Sequence, residues 1–229
     1  KKQLSLKSKL NYFDADKKLI KVILLLDIYS QYFEPKIGRD ACSVLEKTGH
    51  QVFPIYMKDS PRLFISYGLL VEARKSIEKI LNQINALTEC AIVGLEPSEL
   101  LTFRDEAADL VGEKYKAGMA KISKRSFLFD EYIDRCELNK NIRKTDVKKK
   151  PKNYLVHVHC HQKTLSDPER ALSAIAKIPG VSVSLISGGC CGMSGSFGYK
   201  YGKLSKKIAK NSIVPAINAS KTDTILVAA

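Results

Sequence analysis

Short apolar runs of strand length alternate with amphipathic helical patterns along this chain, twice over and in the same order. Residues 22–26 (VILLL) are wholly apolar, the pattern of a strand buried on both faces. Residues 34–48 then place Ile37, Ala41, Val44 and Leu45 on one helical face, and Gly49 ends that helix. Residues 52–55 read as a second strand, which Pro54 confines to a sheet edge because it has no N–H for a second neighbour. Residues 69–87 carry apolar side chains at three- and four-residue steps, 90–93 read as a third strand, and Pro97 opens a further helix. Residues 113–138 read as helical with a break around 123–126. The second half repeats the order. A strand over 154–158 precedes a helix capped by Ser166, with Pro168 in its first turn and a stop at Pro179–Gly180. A strand over 181–186, a helix over 199–217 and a last strand over 224–228 follow.

This alternation implies parallel strands joined by right-handed crossovers, so the fold class is α/β. The matched order predicts two similar parallel-sheet units from an internal duplication. Residues 27–33 lie over 159–165, and 56–68 over 187–198. Ser60 to Val93 spans 33 residues and Cys191 to Val227 spans 36. The expected units are residues 1–140 and 141–229, with the boundary in a basic linker over 140–153.

The 229 residues are 45% hydrophobic, which excludes a disordered chain. No stretch reaches the roughly 20 apolar residues of a membrane span, and no signal peptide is evident. The expected location is cytoplasmic, including the periphery of the inner membrane. Lys+Arg number 38 against 24 Asp+Glu, a net +14 concentrated at the N-terminus and in the 140–152 run. That run holds no aromatic residue on which a base would stack, so a solvated linker is the better reading than a nucleic-acid contact.

The chemistry gathers in the second half. The segment Ser187-Gly-Gly-Cys-Cys-Gly-Met-Ser-Gly-Ser-Phe-Gly198 joins a strand to a helix and holds five of the thirteen glycines. It matches neither phosphate-binding glycine signature. Gly189 and Gly192 beside Cys190 and Cys191 leave backbone amides free to reach sulfur or a ligand. His157-Val-His-Cys-His161 closes the preceding strand, so Cys160 is expected beside Cys190 and Cys191 at strand C-termini, where α/β sheets bind ligands. Three thiols suit a soft metal or an iron–sulfur cluster, and mixed Cys/His ligation suits zinc. His159 and His161 are expected to support the thiols by hydrogen bonding rather than to ligate. A cysteine nucleophile activated by His159 or His161 is the competing chemistry.

These residues resemble the cysteine-rich CCG domain family, in which a Cys…Cys-Cys-Gly…Cys pattern is duplicated. Its members include the cysteine-rich component of heterodisulfide reductase, the iron–sulfur component of glycolate oxidase and the C-terminal part of FAD-linked oxidases of the D-lactate dehydrogenase type. The last group is most similar, through Tyr32-Phe-Glu-Pro35, Val93-Gly-Leu-Glu-Pro-Ser98, Arg104-Asp-Glu106, His159-Cys-His-Gln-Lys163 and Cys190-Cys-Gly-Met-Ser-Gly-Ser-Phe-Gly-Tyr199. The resemblance implies an electron-transfer region with an iron–sulfur cluster on Cys160, Cys190 and Cys191, alongside a flavin-containing domain or subunit that oxidises a 2-hydroxy acid. FAD would lie outside this chain. Some members hold zinc, and a redox-inactive interaction module is the alternative function.

Two departures matter. In the first half the family's Cys-Cys-Gly falls on Asp59-Ser60-Pro61, and its Pro-Ser-Cys on Pro97-Ser98-Glu99. That unit is expected to be degenerate and structural, although Asp59 and Glu99 remain donors for a hard cation. In the second half the repeat puts the fourth cysteine near position 233, so a truncated site without its cluster is expected in this chain.

Overall fold

A computed structural model of the chain describes residues 19–87, 89–136, 152–220 and 224–228. The first unit runs β1 (Ile20–Leu26), α1 (Ile28–Tyr32), α2 (Pro35–Lys47), β2 (His50–Tyr56), α3 (Pro61–Ser66), α4 (Leu70–Asn85), β3 (Ala91–Gly94), α5 (Pro97–Thr102), α6 (Ala107–Leu110), α7 (Glu113–Lys124), β4 (Ser126–Leu128) and α8 (Phe129–Arg135). The second runs β5 (Lys152–Val158), α9 (Cys160–Leu165), α10 (Pro168–Ala176), β6 (Val181–Leu185), α11 (Phe197–Lys200), α12 (Gly202–Asn211), α13 (Ile213–Ala219) and β7 (Thr224–Ala228).

All pairings are parallel, and the α/β class holds. One sheet has the order β2-β1-β3-β4 and the other β6-β5-β7. In each, the first strand of the unit lies between its second and third, so the two share one winding. Pro54 sits on β2, an edge strand, where its missing N–H costs no ladder bond.

Alternate side chains of β1 serve two cores. Ile23 and Leu25 join Ile77, Leu81 and Ile84 of α4, Leu101 of α5 and Met119 of α7. Val22, Leu24 and Leu26 join Ala41 and Leu45 of α2 and Tyr132 and Ile133 of α8. The central strand is therefore covered on both faces, as its uninterrupted apolar run requires. The second unit is thinner. Val156 and Val158 of β5 and Ala171 of α10 form its small buried cluster.

Three local readings change. The helical stretch does break there, after Lys124, but the chain then forms an unexpected fourth strand, β4, whose three residues are too few to show a period; its pairing with β3 is what makes it extended. The cap of α10 is Asp167, which accepts from the Glu169 amide at 3.0 Å, while Ser166 donates to Glu131 of the first unit. The 199–217 helix is three shorter ones, broken at Tyr201 and Ser212. The expected linker lies outside the described residues except at 152 and 153, which belong to β5. No helix among the described residues is long and apolar enough to cross a membrane.

The units are joined by polar bonds at their seam. Ser173 Oγ donates to Asp134 at 2.9 Å, Lys177 pairs with Asp134, and Gln162 Nε2 donates to Asp130 at 2.8 Å. The Arg104 guanidinium grips the Ser126 carbonyl at 2.7 and 2.8 Å and pairs with Glu131, which also accepts from Ser166. Arg104-Asp-Glu106, part of the family resemblance, is thus a framework segment. Its Glu106 pairs with Arg62 of α3.

Candidate functional site

The loops leaving β1, β2, β3, β5 and β6 at their C-terminal ends approach one another, and a cavity of about 350 Å³ lies among them. From the first unit it is lined by Tyr29, Arg62, Leu63, Ser66, Ser98 and Glu99, and from the second by His159, Cys160, His161, Thr164, Ser194 and Gly195. A ligand cavity at strand C-termini is where parallel α/β folds put chemistry. Gly195, at φ +57°, brings its backbone against Leu63 and the Tyr29 hydroxyl, where a Cβ would stand 3.4 and 3.8 Å away.

In the second unit, the chain turns helical immediately after β5. His159 caps α9, its Nδ1 accepting from the His161 amide at 3.3 Å, and Cys160 is the first helical residue. His161 is therefore on a helix, and the three histidines do not share a strand face as an extended segment would place them. His157 is buried on β5 and His159 lines the cavity. Burial holds both imidazoles below their ordinary pKa, helped by Lys163 and His159 for the first and by His161 for the second.

Cys160 is exposed, Cys190 and Cys191 are half-buried, and all three are free thiols. Cys190 Sγ accepts from the Gly192 amide at 3.2 Å, the amide-to-sulfur contact that the glycines were expected to permit. The Cys160 thiol is pushed up by partial burial and then by Cys190 and Cys191, so the three lie within electrostatic reach of one another. They do not converge. Among the described residues no group of three His, Cys, Asp or Glu is placed to hold a metal ion. Cys160 lines the cavity, whereas Cys190 and Cys191 do not. Gly192 and Gly189 are explained by packing: a Cβ would come within 2.5 Å of the Ser205 carbonyl at Gly192 and 2.8 Å of Ser212 Oγ at Gly189. At φ +85°, Gly192 is also in the left-handed region.

The first unit holds the surprise. Ser60 and Glu99, which stand where the family pattern has cysteines, are bonded to each other. Ser60 Oγ accepts from the Leu63 amide at 3.0 Å as the cap of α3 and donates to Glu99 Oε1. Both are buried, Glu99 to 2% exposure. Glu99 Oε2 has no hydrogen-bond partner among the described residues. Burial, with Glu96 and Asp27 nearby, lifts the Glu99 carboxyl to about 8 against the pull of Ser60. Burial thus biases it toward the protonated form at pH 7. Asp59 does not line the cavity, so Asp59 and Glu99 form no joint cation site there. Tyr29 is raised to about 12 by burial and by Glu96, Glu99 and Asp27. Sequence reasoning flagged Glu99 as a substituted ligand position but passed over Tyr29 and Arg62, which carry no motif of their own.

No protein-family profile matches the chain. It is similar to proteins named D-2-hydroxyglutarate dehydrogenase. Identity is 24% over 193 residues with that of Pantoea ananatis and 25% over 195 residues with that of Haemophilus influenzae, each covering 82% of this chain and 18% of the relative. With that of Escherichia coli it is 24% over 196 residues, covering 83% of this chain and 18% of the relative. The chain spans under a fifth of the length of these curated relatives.

Proposed function

We propose that this chain is the cysteine-rich electron-transfer region of an FAD-linked oxidoreductase acting on a 2-hydroxy acid, with a D-2-hydroxy diacid as the substrate class. The observation that supports the reading is the placement of Cys160 at the start of α9 and of Cys190 and Cys191 in the loop after β6, both just past the C-terminal ends of paired parallel strands, with Cys190 and Cys191 within electrostatic reach of Cys160. The similarity to D-2-hydroxyglutarate dehydrogenases supports the substrate class, and the 18% coverage leaves room for a flavin-containing region elsewhere in such a protein.

The donor chemistry fits an iron–sulfur group in part. Thiolates are its ligands, and an amide already points at Cys190 Sγ. The set is one donor short of the usual four, and the thiols must close in to share a metal. When bound, such a cluster accepts and passes single electrons. This chain's own residues would hold it: Cys160 at the start of α9 and Cys190–Cys191 in the glycine loop as ligands, with His159 fixing the turn before Cys160 through its bond to the His161 amide. Gly192 would keep the loop against α12.

One observation favours a second reading. The Ser60–Glu99 bond ties the corresponding loops of the first unit directly to each other, which supports a redox-inactive interaction module, with or without structural zinc. Anaerobic reconstitution with iron and sulfide, on the chain extended by any native residues that follow Ala229, separates the two. Visible cluster absorbance, abolished in Cys191→Ala, is expected. Zinc, or no metal, in the extended protein would favour the interaction module.

A further inference from the structure

The cavity between the two units has a feature that the thiols do not explain. Glu99 is buried, lines the cavity, and has one oxygen fixed by Ser60 and the other without a partner among the described residues. A buried polar atom left unpaired is destabilising, a cost that a bound group with a hydrogen-bonding atom removes. The two nearest carboxylates do not need that group. Asp27 accepts from the Tyr29 and Ser30 amides and from Ser30 Oγ, all within 2.9 Å. Glu96 accepts from the Glu99 amide and Ser98 Oγ at 2.7 Å.

The rest of the lining is rich in donors. Tyr29 presents a phenol, Arg62 a guanidinium of which one nitrogen is taken by Glu106, and His161 an imidazole. At about 350 Å³ the cavity is at the small end of the range for ligand sites, about 300–1,000 Å³. A carboxylate suits the guanidinium and imidazole donors, since among the described lining residues Glu99 is the one acid and burial pushes it toward its neutral form. A hydroxyl suits the free Glu99 oxygen, because an alcohol both donates and accepts.

We propose that this cavity binds a small 2-hydroxy carboxylate, its hydroxyl on Glu99 Oε2 and its carboxylate on the Arg62 and His161 side. The hydroxyl-plus-carboxylate requirement comes from the lining; the choice of a 2-hydroxy acid rests on the function proposed above. The contacts named need neither flavin nor metal. It gives this region a way to sense the acid that the larger protein consumes.

The test is calorimetric titration of the metal-free chain with D-2-hydroxyglutarate and, separately, with glutarate, which lacks only the hydroxyl. Binding of the hydroxy acid is expected, with glutarate weaker by about tenfold, the worth of one hydrogen bond. Glu99→Gln is expected to keep binding within about threefold, and Glu99→Leu to lose about tenfold or more. Arg62→Met, away from the buried carboxyl, is expected to weaken both acids alike. No binding by the wild-type chain, equal affinity for glutarate, or undiminished binding in a folded Glu99→Leu would overturn the proposal. If Glu99→Leu does not fold, the glutarate comparison and Arg62→Met decide it. Because metal is absent throughout, this result is independent of whether the thiols assemble a cluster.

Discussion

Glu131→Ala is expected to lower the unfolding free energy by about 3–5 kcal/mol, the range for breaking one side of a buried ion pair. Glu131 is 6% exposed at its side chain and Arg104 17%. Burial alone would raise the Glu131 carboxyl, but hydrogen bonds from Arg104, Ser166 and the Leu128 amide win and hold it below its ordinary value. Those donors come from three places: the segment after α5, the start of α8 and the turn before α10. Removing the carboxylate leaves the Arg104 charge half-buried, strips a cap from α8 and cuts a bond between the units. Glu131→Gln keeps some hydrogen bonds and should fall between the wild type and Glu131→Ala. Urea titrations at pH 7 measure this. A loss under about 1 kcal/mol, the size for a solvated pair, would show that the seam is not held here.

The second large effect is a pH dependence centred on Glu99. Its folded value of about 8 lies above the ordinary carboxylate value of 4.5, so the folded state keeps a proton that the unfolded chain gives up. Stability from this group is complete below pH 4.5, falls as pH rises from 4.5 to 8, and changes no further above 8. The span corresponds to a few kcal/mol. Glu96 and Asp130, also raised by burial, act in the same direction, whereas His50, His157 and His159, held low by burial, remove stability only as pH falls through the imidazole range. Denaturant midpoints at about pH 6 and about pH 9, on either side of the folded value, should therefore differ clearly in the wild type and much less in Glu99→Gln. Equal differences in the two proteins would contradict a neutral buried Glu99.

The sheets were legible because their strands are written as uninterrupted apolar runs. Residues 22–26 announce a strand covered on both faces, and Pro54 announces an edge; both are so. What escaped was set by tertiary contact. Ser126-Phe-Leu128 becomes a strand only because β3 offers it a partner. Ser166 looked like a helix cap by its spacing and instead serves Glu131, a residue 35 positions away. At the site, spacing placed Cys160, Cys190 and Cys191 in one neighbourhood, but whether sulfurs converge is a matter of χ angles and loop closure that no spacing encodes. Laying the halves over each other put Ser60 and Glu99 at vacated ligand positions. It did not reveal that two such residues, brought together by the same backbone, would bond to each other and leave one buried carboxyl oxygen without a partner among the described residues at the wall of a cavity.

The central claim is that an iron–sulfur group held by the three cysteines would carry electrons from a flavin that oxidises a 2-hydroxy acid. The direct measurement uses the chain together with the proposed flavin-containing domain or subunit, prepared anaerobically and mixed with D-2-hydroxyglutarate in a stopped-flow instrument. Flavin reduction should be followed by reduction of an iron chromophore and delivery of electrons to a one-electron acceptor. In a variant with Cys160, Cys190 and Cys191 all changed to Ser, flavin reduction should persist while the iron signal and the transfer to the acceptor are lost. Undiminished electron delivery in that triple variant would contradict the account.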